Sequence, residues 1–147
     1  MKHTLFSLLF LFIFSCHGST YQWFEGTFEE AKSIADSKLI MIKFYTNTWA
    51  ACIRLDVETL RNLDVQEFSY ANFISLKYNA NEEVGNQYFT EYNCQGVPHV
   101  LFVDSEGNEV DRIIGFLPPS EYLLRIENIA NKQNTLEDYL ARYSKGE

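Results

Sequence analysis

The sequence predicts an α/β fold in which helices cover both faces of a central mixed sheet, and the sheet closes with a C-terminal antiparallel hairpin. Three observations predict it: a nearly continuous apolar run, LIMIKFY, at residues 39–45; helical patterns that alternate with strand-length runs; and a turn sequence, SEGN, at residues 105–108. An apolar run of strand length is typical of a strand covered on both faces. Alternating helices and strands indicate parallel strands joined by crossover helices. The predicted architecture is therefore a three-layer α/β/α sandwich.

The individual elements follow from local signals along the chain. Thr27 and Glu30 have the spacing of a capping box, which opens a helix to about residue 37. Pro118-Pro119-Ser120 starts the last helix of the domain. In chain order, we predict strand 39–45, helix 49–60, a short helix at 65–71, strand 73–79, a helix from Asn81 to residue 92, strand 100–104, strand 109–114 and helix 121–130.

Composition and charge exclude several classes of function. The 147 residues are 46% hydrophobic and 22% charged, as expected of a globular protein. Twelve basic and 20 acidic residues give a net charge of -8, and the basic residues form no block. Binding to nucleic acid or to anionic headgroups through charge is therefore disfavoured. We predict no cofactor, and no metal site, because His99 and Cys52 without other candidate ligands beside them fall short of the three or four ligands that zinc needs.

The N-terminal segment predicts a secretory signal over residues 1–18. Lys2 precedes an apolar run from Leu5 to Phe14, which is about half the roughly 20 residues that a membrane-spanning helix needs. The sequence ending in Cys16 resembles a bacterial lipobox, so lipidation of Cys16 is one alternative and plain cleavage near Gly18 is the other, with an uncleaved anchor as a third. Either processing route predicts an extracytoplasmic, oxidising location, with the membrane reached only through a lipid at Cys16.

The rest of the chain is predicted to form one domain at 20–131 and a tail at 132–147. No internal repeat or Pro/Gly/Ser-rich linker divides the first of these segments. In the tail, Leu136, Tyr139, Leu140 and Tyr143 recur at helical spacing, so we predict an extra amphipathic C-terminal helix.

Three separated segments of the chain carry a resemblance to a known family. They are KFYTNTWAACIRLDVETL, GVPHVLFVD and EGNEVDRIIGFLPPSEYLLRI. They resemble the thioredoxin-like fold family, which has its active-site strand and helix at the first of these places, its cis-proline loop at the second and its terminal hairpin and helix at the third. The opening WFEGTFEEAKSIADSKLIMIKF is most similar to the secreted branch of the family. The resemblance covers about residues 23–131 and implies the same three-layer sandwich.

The resemblance also shows what is missing from the active-site motif. Family members exchange disulfides through Trp-Cys-x-x-Cys, in which an exposed first thiol attacks and the second releases the mixed disulfide. A gapless alignment places Thr48 at the family Trp, Trp49 at the attacking Cys and Cys52 at the resolving Cys. Lys43 stands where many members bury a carboxylate. The degenerate motif TWAAC therefore implies a protein without dithiol chemistry.

Each remaining cysteine of the predicted domain has two interpretations. Cys52 is either a small buried hydrophobe or a single reactive thiol, the one candidate for a catalytic residue. Cys94 is either core filler or the partner of Cys52 in a disulfide, which an oxidising compartment would allow. The sequence leaves both alternatives open because a disulfide requires Cα atoms closer than about 7 Å.

The resemblance also predicts a binding surface around the helix start and the proline loop. Pro98 resembles the family's cis-proline, and the backbone of Val97 would then meet an extended client. His99 stands where the family more usually has Thr. We interpret it either as a structural or solvent-facing residue or as a base for Cys52. Trp49 at the helix tip would block access to a thiol while adding apolar contact area, or its ring would fold back over the core.

Two functional hypotheses follow. The first is a redox-inactive module that binds extended or unfolded extracytoplasmic polypeptides through Trp49, Val97, Pro98 and His99. The second is a single-thiol exchange protein that acts through Cys52 and is reduced by a separate dithiol partner. We favour the first because the attacking cysteine is absent.

Overall fold

The computed structural model describes residues 20–131, and within them the predicted alternation of helices and strands is confirmed. The predicted signal segment with Cys16 and the predicted tail helix lie outside these residues. In chain order the elements are α1 (Phe28–Ile34), β1 (Leu39–Tyr45), α2 (Ala50–Arg54) continued by a π-helical segment (Leu55–Thr59), α3 (Leu63–Asn72), β2 (Phe73–Asn79), α4 (Glu83–Glu91), β3 (His99–Val103), β4 (Glu109–Ile114) and α5 (Pro119–Ala130).

The sheet has the strand order β2-β1-β3-β4, with β1 in its interior. Strand β1 runs parallel to β2 and antiparallel to β3, and β3 forms an antiparallel hairpin with β4. The sheet is therefore mixed and ends in a hairpin, as the sequence predicts. Because β1 has a strand on each side, the residues that follow its carboxyl-terminal end lie near the middle of that end of the sheet.

Alternation along β1 divides the core into two clusters. Leu39 and Met41 face a cluster built with residues of the π segment, α3 and α5. Ile40, Ile42 and Phe44 face a second cluster with residues of α1 and α4. Successive side chains of a strand point to opposite faces of the sheet, so this division confirms the three-layer α/β/α arrangement.

Most predicted boundaries hold to within a few residues. The Thr27 capping box is present: the Thr27 side chain accepts from the Glu30 amide, and the Glu30 carboxylate accepts from the Thr27 amide. Helix α4 differs, because it begins at Glu83 with Glu82 rather than Asn81 at its N-cap. The Asn79 side chain accepts from the Asn81 amide and the Asn79 carbonyl from the Glu82 amide, so the turn that precedes α4 takes up residue 81.

The predicted helix 49–60 is two structures rather than one. It is α-helical only to Arg54 and then π-helical, and the Leu60 amide bonds to the Leu55 carbonyl at 2.9 Å. A π-helical turn inserts one extra residue into the helix and is often found at functional sites. Sequence periodicity did not reveal this change.

No helix within residues 20–131 is long and apolar enough to cross a membrane.

Candidate functional site

Trp49 and Cys52 lie at the start of α2, directly after the end of β1. Trp49 occupies the N-cap position, its side chain makes no capping hydrogen bond, and 58% of its surface is exposed. Its carbonyl accepts from the Cys52 amide at 2.9 Å and from the Ile53 amide at 3.2 Å, which fixes Cys52 one turn inside the helix. The predicted alternative in which the Trp49 ring folds back over the core is wrong.

The Cys52 thiol is enclosed by the protein. Only 1% of the residue is exposed, and burial raises the pKa of the thiol. A backbone hydrogen bond at Thr46 and the charge of Lys43 act in the opposite direction, while Asp56 adds to the increase in pKa. The thiolate is the nucleophilic form of cysteine. Burial and a raised pKa therefore both oppose attack by Cys52 on an external disulfide.

Lys43 places a cation in the interior of the sheet, close to this thiol. Its side chain is 2% exposed, and its ammonium forms an ion pair with Asp56 of the π segment. The Nζ atom also lies 5.4 Å from the ring centre of Trp23 and 5.0 Å from that of Tyr45. Burial lowers the pKa of Lys43, and the attraction of Asp56 opposes that change.

The proline loop precedes β3 on the neighbouring strand. The Val97–Pro98 peptide bond is cis, and Gly96 before it has a φ of 76°, which favours glycine. Pro98 is buried, and its carbonyl accepts from the Gly115 amide at 2.9 Å. Val97 is half-buried and packs against the second cluster. Of the predicted binding residues, Trp49 therefore offers the most exposed side chain.

The structure places His99 away from the thiol. His99 pairs in register with Phe44 of β1, so its side chain shares the face of Phe44, whereas Lys43 is on the other face. It is 0% exposed and packs edge-on against Phe89, with 6.4 Å between the ring centres. The interpretations of His99 as a solvent-facing residue, a base for Cys52 or a client contact are wrong. It is a core residue.

Cys94 is also a core residue on the far face of the sheet. It belongs to the second cluster, with Ile42 and Phe44, and burial raises the pKa of its thiol to about 11. Both cysteines of the described segment are free. Cys52 interacts with Lys43, which points to the opposite face. The sheet therefore separates the two residues, and the disulfide alternative for Cys52 and Cys94 is not formed.

Sequence reasoning missed two partners of this site, Asp56 and Trp23. The available signal was Lys43 itself, the one charged residue in an otherwise apolar strand, since a buried charge is almost always paired. The sequence could not identify the partner, because the π-helical segment that presents Asp56 has no recognised pattern. Within residues 20–131, no group of three or more His, Cys, Asp or Glu side chains could hold a metal ion.

Comparisons with known proteins agree with this architecture. A family model described as a thioredoxin-like domain matches residues 25–130. The chain is 28% identical over 104 residues to the thiol:disulfide interchange protein DsbD of Tatumella citrea, a match that covers 69% of this chain and 18% of that protein. It is 28% identical over 109 residues to the chloroplastic thioredoxin-like protein HCF164 of Oryza sativa subsp. japonica, covering 74% of this chain and 40% of that protein. The chain thus spans less than half the length of these relatives.

Solved structures give the same fold. A thioredoxin from Thermus thermophilus superposes with a TM-score of 0.68 at 21% sequence identity, covering 79% of this chain and 92% of that one. Identity at this level shows the shared fold and leaves the chemistry to be argued from the residues of the site.

We predict that His99 makes stability depend on pH just below neutrality. Burial lowers the pKa of His99 from 6.5, and the charge of Arg112 acts in the same direction, while Glu109 and a backbone hydrogen bond at Gln95 oppose the change. The pKa stays below 6.5, so the unfolded chain takes up a proton that the folded protein resists. The contribution of neutral His99 to the free energy of unfolding should be fully present above pH 6.5. Below that pH the free energy of unfolding should fall, by at most about 1.4 kcal/mol per pH unit. Urea unfolding at pH 7.5 and 5.5 measures the change. His99→Leu should reduce the difference between the two values, and an equal difference in this variant would contradict the assignment.

Proposed function

The chain belongs to the thioredoxin-like domain family, and on that premise we propose that it is an extracytoplasmic module that binds extended polypeptide without catalysing disulfide exchange. Its relatives support the general class, a module related to thiol-disulfide proteins. The observation that carries the proposal is the exposed Trp49 at the helix position where the family chemistry needs an attacking thiol.

The state of Cys52 supports the absence of exchange. Release of a mixed disulfide needs a second thiol that is close to the first. Within residues 20–131 the other cysteine, Cys94, lies on the opposite face of the sheet. Lys43 replaces the carboxylate that many members use to move the proton of the resolving thiol. The dithiol cycle therefore lacks its first nucleophile and its usual proton carrier.

The surface around Trp49 supports binding instead. Trp49, Ile53 and Val57 follow one another at intervals of four residues and are 58%, 50% and 47% exposed. Residues four apart on a helix are neighbours on its surface, and groups of exposed apolar side chains commonly mark interaction sites. An extended client would lie on this stripe, which we call the Trp49 stripe, and would reach the backbone of Val97 beside Pro98.

The extracytoplasmic location is part of the proposal and depends on the N-terminal sequence. The short apolar run that follows Lys2 supports export, with lipidation at Cys16 and plain cleavage near Gly18 as the two routes.

A single-thiol function of Cys52 is the second candidate. The charge of Lys43 favours its thiolate, which is the observation in its favour. Such a protein would form a mixed disulfide with a client and would need a separate dithiol reductase as its partner. Burial of Cys52 is the stronger effect, since it is the largest contribution to the thiol pKa.

Binding of a permanently unfolded polypeptide tests the first candidate. Carboxymethylated α-lactalbumin, labelled with a fluorophore, should bind with an affinity measurable by anisotropy. Trp49→Ala should weaken binding by about tenfold, because a central aromatic contact commonly contributes more than 1 kcal/mol. Leu124→Ala on α5, where the side chain is 60% exposed, is the matched control and should leave the affinity unchanged. Equal losses in both variants, or no binding by the unaltered protein, would contradict the proposal.

Restoring the missing thiol tests the alignment on which the proposal depends. Trp49→Cys should form a reducible disulfide with Cys52 under mild oxidant, because the two positions share the first turn of α2 and their backbones are hydrogen-bonded. The variant should reduce insulin weakly with dithiothreitol, while the unaltered protein and Trp49→Ser should not exceed the uncatalysed rate. Lys43 should keep proton transfer slow and the activity partial.

Mass analysis of non-reduced peptides locates the new bond. A folded Trp49→Cys variant without a disulfide to Cys52 would show that the alignment is wrong. Insulin reduction by the unaltered protein that disappears in Cys52→Ser would favour the single-thiol candidate instead.

A further inference from the structure

A cavity of about 640 Å³ lies beside the Lys43–Asp56 ion pair, and both residues of the pair line it. Three parts of the chain form it: the segment that precedes α1, the carboxyl-terminal halves of β1 and β2, and the π segment with the two residues that follow it. Its lining includes Trp23, Lys43, Tyr45, Asp56, Arg61 and Lys77. We call it the Trp23 cavity. Its volume is within the range typical of sites for small organic ligands.

Positive charge is concentrated in this cavity, although the protein as a whole carries a net charge of -8. Three cations line it, against two carboxylates. Asp56 is engaged by Lys43, and Glu25 forms no ion pair with any of the three cations. Among the described residues, Lys77 and Arg61 have no carboxylate partner. Two exposed cations therefore remain available to an anion that enters from solvent.

The strand register brings two of these cations together. Lys43 and Lys77 are direct partners in the parallel β1–β2 pair. Their Nζ atoms lie 5.4 Å and 5.7 Å from the centre of the same Trp23 ring. Like charges directly opposite each other on neighbouring strands are destabilising. A bound anion would offset this repulsion, and the Trp23 ring offsets part of it in the free protein.

The walls also offer apolar and planar surface. The Trp23 ring and the half-buried Tyr45 ring border the cavity, and both contact the Lys43 ammonium. The hydroxyl of Tyr21 is already bonded to Ser75 at 2.8 Å, so this ring presents mainly its carbon surface. The cavity combines cationic side chains with aromatic walls. This combination fits a ligand that is negatively charged at one end and apolar at the other.

We propose that the Trp23 cavity binds a carboxylate attached to an aromatic or apolar group, with Arg61 and Lys77 holding the carboxylate and Trp23 and Tyr45 contacting the apolar part. Arginine presents two parallel N–H donors that match the geometry of a carboxylate, and lysine adds a point charge. Either a free aromatic acid or the C-terminal carboxylate of a peptide that ends in an apolar residue supplies this chemistry.

The cavity and the Trp49 stripe have no lining residue in common. None of Trp49, Ile53 and Val57 lines the cavity, so loss of polypeptide binding in a Trp49 variant and loss of ligand binding in a Lys77 or Arg61 variant are measured separately. Trp49→Phe removes the second tryptophan of the chain and leaves Trp23 as the only one, which makes its fluorescence a direct report of the cavity.

Titration of Trp49→Phe with benzoate tests the proposal. Trp23 fluorescence, excited at a wavelength where benzoate does not absorb, should change and saturate below about 10 mM ligand. Lys77→Gln and Arg61→Gln, each in the Trp49→Phe background, should weaken binding by about tenfold, as expected for the loss of a hydrogen bond to a charged group. Lys38→Gln removes a lysine outside the cavity, whose Nζ donates to the Tyr70 carbonyl, and should leave the affinity within about twofold.

A peptide pair distinguishes the two sources of the carboxylate. Ala-Ala-Phe with a free C-terminus binding more tightly than both its amide and benzoate would identify a peptide end, and benzoate binding more tightly than the peptide would identify a free acid. Both results support the site. The proposal is overturned if neither benzoate nor the free peptide gives a saturable change, or if Lys38→Gln weakens binding as much as Lys77→Gln and Arg61→Gln.

Discussion

The ion pair between Lys43 and Asp56 is the constraint around which the site is built. A lysine with 2% of its side chain exposed, in the interior strand of a sheet, is costly unless its charge is paired. The π-helical segment after α2 presents Asp56 to it, and the ring centres of Trp23 and Tyr45 lie 5.4 Å and 5.0 Å from its Nζ atom. Loss of Asp56 alone would leave a buried unpaired charge. The ion pair therefore joins the π segment, and α2 before it, to β1, and the Trp23 ring joins the N-terminal segment to the same ammonium group.

The site keeps the fold of the family but lacks the residues of its usual chemistry. A thioredoxin-like site needs an exposed attacking thiol, a second thiol within one turn and a route for the proton. This chain retains the strand, the helix and the cis peptide bond before β3, but it has Trp49 at the first position and a buried Cys52 at the second. A shared fold supports many functions because function depends on such a site. Here the exposed Trp49 and the buried Cys52 both depart from the dithiol arrangement.

Signals with a strong local cause were readable from the sequence. The apolar run of β1, the Thr27 capping box and the turn before β4 each determine their own conformation, and together they predicted the layered fold. The contacts of the site depend instead on which face of the sheet a residue occupies. The orientation of His99 and Cys94 follows from the register of β3 with β1 and from the packing of α4, neither of which leaves a pattern in one sequence. The change from α-helix to π-helix at Leu55, which positions Asp56, likewise has no recognisable pattern in the sequence.

Alkylation of thiols in the native protein tests the central claim, that this chain has the fold of a disulfide-exchange module without an accessible exchange thiol. The protein is treated briefly with iodoacetamide at pH 8, then unfolded and treated with an isotopically distinct reagent, and the peptides that contain Cys52 and Cys94 are compared by mass. We predict that both peptides carry only the second reagent, because both residues are buried and burial raises the pKa of both thiols. Rapid labelling of Cys52 by the first reagent, with Cys94 protected, would contradict the account and show that a reactive thiol survives at the resolving position.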